Sequence, residues 1–207
     1  MDYFEIFSLP PHLTINTVAL EKSFYALSRR LHPDRFASRP AAEQAAALAE
    51  SSRLNDAYRT LKDPIARTEY LLKLEGVEME EQSSAATAAA RTSGTAKKQV
   101  VPEDLLEEAF ELNMQLEEMR MAKKMGEDDP QLRRDLEAAK RDFDAKLAAT
   151  DADLATLHIQ WDAATNATDP AASDRAAQAA ARDAMVALLN RRSYLRNLVR
   201  DVNNALE

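Results

Sequence analysis

His32-Pro33-Asp34 sets an imidazole and a carboxylate on either side of a ring that cannot continue a helix. Such a pair is either a site of chemistry or a donor and an acceptor offered to a partner. Pro33 also disfavours a helical conformation at the residue before it, so the amphipathic segment 17–31 must stop here and the tripeptide must open a turn. The rest of the chain supplies no convergent chemistry to go with it. There is no cysteine, which excludes disulfides, thiolate metal sites and Cys nucleophiles. His12 and His158 lack companions at metal-ligand spacing, and no glycine-rich loop could cradle a phosphate. The residues therefore point away from an enzyme and imply neither a cofactor nor a metal.

The elements that must position the tripeptide are marked by proline and glycine. Asp63-Pro64, Asp129-Pro130 and Asp169-Pro170 each pair an N-cap with Pro at the first helical position. Pro40 and Pro102 open two further periodic runs, while Gly76 and Gly126 close two in the place of a left-handed C′ residue. This punctuation predicts a short helix near 3–7 and helices over about 17–31, 41–61 and 64–75. Leu20, Phe24, Leu27 and Leu31 share one face of the second; Leu48, Leu54, Ala57, Tyr58 and Leu61 share one face of the third. The two would pack antiparallel, with the tripeptide in the loop between them, and Tyr58 is expected in the core.

Beyond the Ser/Ala/Thr tract 82–98, read as a flexible linker, three long helices are expected over about 102–125, 130–166 and 170–206. Leu132, Leu136, Ala139, Phe143, Leu147, Leu154, Leu157 and Trp161 repeat along the middle one. Met185, Leu188, Leu195, Val199, Val202 and Leu206 repeat along the last. The fold class is all-α: residues 1–76 form a helical-hairpin domain, 77–101 a linker, and 102–207 an elongated three-helix bundle.

Charge is unevenly placed. Residues 1–75 hold ten Lys/Arg and ten Asp/Glu, and the remainder hold 17 and 25, which is the whole net charge of −8. An acidic second half argues against nucleic acid, which needs clustered cations against phosphates. No apolar run approaches the ~20 residues that span a bilayer, and the N-terminus has no signal pattern, so a cytoplasmic protein is expected. Lys22, Arg29 and Arg30, at i, i+7 and i+8, make a basic strip on one side of the second helix. It is either a solvated face or a steering surface for an acidic partner.

The helix after Pro102 carries more apolar surface than one interface needs. Leu105, Ala109, Leu112, Leu116 and Met119 form one stripe; Leu106, Phe110, Met114 and Met121 form a second about 140° away. Either two partner helices bury both, or the second is exposed and marks a partner site.

A helix ending in His-Pro-Asp and answered by an antiparallel helix resembles the J domain of DnaJ-type co-chaperones. Met1-Asp2-Tyr3-Phe4-Glu5-Ile6-Phe7, Arg35-Phe36-Ala37, Asn55-Asp56-Ala57-Tyr58-Arg59-Thr60-Leu61, Asp63-Pro64 with Arg67, Glu69-Tyr70-Leu71-Leu72 and Gly76 narrow the resemblance to HscB, the J-domain co-chaperone of iron–sulfur cluster assembly. It is dense over 1–76, moderate around 105–116 and architectural beyond. The resemblance implies a non-enzymatic adaptor. His32, Pro33 and Asp34, with Lys22, Tyr25, Arg29 and Arg30, would engage a heat-shock-type ATPase chaperone of the HscA kind. Leu106, Phe110, Glu111 and, on the last helix, Tyr194 would bind the cluster scaffold, of the IscU kind. Met114 joins them. Two departures stand out: Glu107 occupies a place where the family is usually apolar and Met114 one where it often has Glu, so the apolar contact is expected to shift by one turn. A monomer or weak dimer is expected. The alternative is a J-domain protein for another client, its long C-terminal helices serving dimerisation.

Overall fold

The computed structural model describes residues 2–77, 101–165 and 175–207, and every regular element among them is helical. The linker expected over 77–101 and the Asp169-Pro170 cap lie, but for the linker's two ends, outside the described residues. The described residues form, in chain order, α1 (Tyr3–Ile6), α2 (Thr17–Leu31), α3 (Ala41–Lys62), α4 (Pro64–Leu74), α5 (Leu106–Met125), α6 (Pro130–Thr165) and α7 (Arg175–Leu206). None of the described helices is long and apolar enough to cross a membrane.

Local chemistry accounts for the boundaries. Asp2 and Glu5 form a capping box around α1, and Asn16 accepts from Val18 N–H and Ala19 N–H at the start of α2. Asp63 caps α4 through Ala66 N–H at 2.8 Å, and Asp129 caps α6 through Gln131 and Leu132. At the other ends Gly76 (φ 79°) and Gly126 (φ 72°) take the left-handed conformation. The Val77 and Glu127 amides then reach back to the carbonyls of Leu72 and Ala122, satisfying acceptors that the helix leaves over. The helix expected from 102 begins instead with a 3-10 turn, Glu103–Leu105, because no side chain caps position 102 or 105.

Chain contacts group the residues into two compact units. One comprises 1–79 with 157–183, the other 80–156 with 184–207. In the first, Phe4, Phe7, Leu13, Leu20, Ala47, Leu54, Ala57, Leu61, Leu71 and Leu72 are buried. The Phe24 and Tyr58 rings stack at 4.1 Å and fix α2 antiparallel to α3; the Tyr58 hydroxyl donates to Glu21. Tyr3 stacks on Tyr70 at 4.3 Å and donates its amide to the Tyr70 hydroxyl, pinning α1 to α4. Leu48 corrects the expected face of α3: it is 61% exposed, and Ala47 is buried in its stead. Seven residues from Leu54 return to within about 20° of the same face, whereas six fall short by about a third of a turn. A small side chain on that face lets the two helices approach.

Residues from the far end of α6 also belong to this unit. Asp162, buried, accepts the amides of Leu13 and Thr14, each at 2.7 Å, and the Thr14 hydroxyl. His158 is 5% exposed and its Nε2 lies 2.7 Å from the Thr68 hydroxyl. Burial, reinforced by the charge of Arg67 and opposed by Asp162, pushes this imidazole down to about 4 from 6.5. The unfolded chain therefore takes up a proton here at a higher pH than the folded one. Stability that is fully present above pH ~6.5 is lost progressively as pH falls towards 4, by about 2 kcal/mol at pH ~4.5. Replacing His158 by Gln, which can still bond Thr68, should flatten that acid limb. Urea midpoints taken from pH 7 to 4.5 check it, with the wild-type curve falling more steeply.

In the second unit Leu105 of the 3-10 turn and Ala109, Leu112, Leu116 and Met119 of α5 meet Leu132, Leu136 and Phe143 of α6 and Leu195, Leu198 and Val202 of α7. The first stripe of α5 is thus core, as its periodicity predicts. On α7 the buried line runs through Leu189 and Leu198, while their expected neighbours Leu188 and Val199 are half-buried. Ion pairs rim this core: Lys146 with Glu108 and Asp142, Arg191 with Asp104, and Arg192 with Asp151.

Candidate partner-docking sites

The first candidate is the corner between α2 and α3. His32 leaves the helix in an extended conformation (φ −61°, ψ 128°), and Pro33–Phe36 form a 3-10 turn. The His32 and Asp34 side chains are 56% and 88% exposed. Asp34 N–H donates to His32 Nδ1 at 3.3 Å, and Asp34 Oδ2 lies 3.4 Å from the same nitrogen. A nitrogen that accepts from the amide has no proton, while one that pairs with the carboxylate must carry it. The contacts exclude one another, so both side chains can exchange them for a partner's groups at little cost.

The surrounding loop is held more firmly. Arg35 donates to the Arg29 carbonyl at the end of α2, and Gln44 Nε2 reaches the carbonyls of Ala37 (3.2 Å) and Arg39 (2.8 Å). These two positioning residues were not legible in the sequence, because their partners are backbone carbonyls. Lys22, Tyr25, Arg29 and Arg30 are all exposed on α2. Arg29 and Arg30 also occupy the last turn, where cations complement the helix dipole.

The second candidate is the outer face of α5. Leu106, Phe110, Met114 and Met121 are exposed, Phe110 by 69%. The second stripe is therefore not covered by a neighbouring helix among the described residues. Met125, 72% exposed, extends it; its i+11 spacing from Met114 was the available signal. Glu111 is exposed beside the stripe and lines a groove of about 520 Å³ between α5 and α6, together with Glu108, Asp135 and Asp142. Tyr194, on α7, packs half-buried against the core that α5 shares, and burial raises the pKa of its phenol. No cluster of three or more potential metal ligands occurs among the described residues.

Comparison with known proteins places these features. The model of the DnaJ domain matches residues 2–70, which contain the whole α2–α3 corner. Co-chaperone protein HscB homologs from two strains of Vibrio cholerae are 46% identical over 79 residues, 38% of this chain and 46% of theirs. The solved structure of chaperone HscB from Vibrio cholerae covers 99% of this chain and 96% of its own at 26% identity, with a TM-score of 0.58. The chain is thus similar to HscB co-chaperones, with a DnaJ-domain match in its N-terminal third. The human co-chaperone protein HscB shares the fold, at 21% identity and a TM-score of 0.62, over 99% of this chain and 81% of its own. In sequence, the chain spans about half the length of the Vibrio HscB homologs it matches.

Proposed function

We propose that the chain is a co-chaperone of iron–sulfur cluster assembly that stimulates ATP hydrolysis by a heat-shock chaperone of the HscA type and brings it an IscU-type scaffold as client. The observation that carries this reading is the exposed His32-Asp34 pair at the α2–α3 corner of a DnaJ-domain match. The corner breaks no bond itself. Asp34 offers an anionic acceptor and His32 a donor, while Lys22, Arg29 and Arg30 steer the domain onto an acidic surface. That steering weakens with salt.

The scaffold would dock on the outer face of α5 through Leu106, Phe110, Met114 and Glu111, with Tyr194 contributing from α7. What supports this is an exposed apolar row on an otherwise charged helix, in a chain similar to HscB co-chaperones. Titration calorimetry of the full chain against an IscU-type scaffold tests it. Replacing Leu106 and Phe110 by Ser removes two apolar anchors, each worth about 1.5–3 kcal/mol if fully buried on binding. Affinity should fall by about 100-fold or more while the circular dichroism is unchanged, since both side chains are exposed. Unchanged affinity would rule the face out, and a concentration-dependent dimer broken by the same substitutions would favour self-association.

A further inference from the structure

Sulfur enters this chain only as thioether: seven methionines and no cysteine. Among those described, Met119 and Met185 are buried in the cores, whereas Met114, Met121 and Met125 stand 61%, 57% and 72% exposed. All three belong to α5. At about 100° per residue they fall with Leu106 and Phe110 inside an arc of about 100°, so one apolar row runs some 29 Å from the start of the helix to its end. Its first two members, Leu106 and Phe110, offer no redox chemistry, and its other three all do. Isoleucine or leucine would supply the same apolar area without that liability.

We propose that Met114, Met121 and Met125 form a methionine-oxidation site that switches the α5 face off, an inference that rests on reading this face as the scaffold-docking site. The reagent is a two-electron oxidant of the peroxide class. The sulfur lone pair attacks one peroxide oxygen, an S–O bond forms and the O–O bond breaks. With hydrogen peroxide the second oxygen leaves as hydroxide and takes, directly or through solvent, the proton that the new S–OH group releases, becoming water. The thioether is oxidised by two electrons to the sulfoxide and the peroxide is reduced. A flexible apolar side chain thereby gains a polar acceptor in the middle of a face that must be desolvated to bind. Reduction by methionine sulfoxide reductase, with its dithiol reductant, removes the oxygen and restores the face.

The test uses the full chain, dilute hydrogen peroxide, and titration against an IscU-type scaffold before treatment, after it, and after reductase. Peptide mass spectrometry, which reads about 16 Da per added oxygen, locates the sulfoxides. The three exposed methionines should oxidise well before Met119 and Met185. Affinity should fall about tenfold or more and return on reduction. In a chain with Met114, Met121 and Met125 all replaced by Leu, the ratio of affinities before and after peroxide should be one, whatever its starting affinity. Oxidised wild-type chain that binds as tightly as untreated chain would overturn the switch alone. An equal loss in the Leu variant would overturn it too, by placing the effect elsewhere. Failure of the untreated chain to bind would overturn the docking reading and the switch with it.

Discussion

Replacing Asp34 by alanine should bring stimulation of the HscA-type ATPase down to the unstimulated rate, at chain concentrations that saturate with the wild-type protein. The side chain is 88% exposed, and its one ion pair among the described residues is the long contact with His32. Little of the fold depends on it, because the turn is held by Arg35, Gln44 and the backbone of Pro33–Phe36. What is lost is an acceptor for the partner. A charge-assisted hydrogen bond at an interface is worth about 1.5–3 kcal/mol, a factor of roughly 10–100 in affinity. Asp34→Asn keeps the shape and one acceptor oxygen, so it should retain part of the stimulation. Scaffold binding should be unaffected by either change. Steady-state phosphate release measures the first effect and titration calorimetry the second.

Replacing Asp162 by alanine should be the most destabilising single change outside the apolar core. This carboxylate is buried and accepts from the amides of Leu13 and Thr14 and from the Thr14 hydroxyl. Its loss strands two backbone donors, one of them fully buried, for which no other acceptor is in place. Orphaned donors of this kind cost about 1–3 kcal/mol each, so a total near 3 kcal/mol is expected. In a chain of this size that lowers the melting temperature by about 6–12 °C. The loss should be local in its signature: hydrogen exchange at the Leu13 and Thr14 amides should accelerate far more than at Leu71 or Leu72. The segment so released leads directly into the Asn16 cap of α2, so the basic helix would lose the anchorage of its first turn.

These two residues also mark the limits of what the sequence makes legible. Asp34 announces itself, because His, Pro and Asp at the end of a periodic run admit few structures. The helices around it follow from period, caps and glycines, each of which acts within a few residues. Asp162 has no such signal. Its partners are about 150 positions away and are backbone amides, which carry no side-chain identity to read. His158 likewise reads as a histidine without metal companions, while its actual partner, Thr68, lies 90 residues earlier. Leu48 was misplaced for a different reason: hydrophobicity favoured leucine, but the geometry of α3 put alanine in the contact. The second stripe of α5 sits between these cases. Its existence is visible in the spacing, but whether it was covered depended on where α6 and α7 pack, and that is tertiary information.

The measurement that bears most directly on the central claim is the steady-state ATPase rate of an HscA-type chaperone with the full chain and an IscU-type scaffold, added separately and together. If one molecule stimulates the chaperone through the α2–α3 corner while presenting the scaffold on α5, the rate with both should exceed the sum of the separate increments several-fold. The excess should vanish with Leu106→Ser/Phe110→Ser, which spares the corner. A rate equal to the sum of the two increments, with each partner saturating, would contradict delivery of the scaffold by this chain.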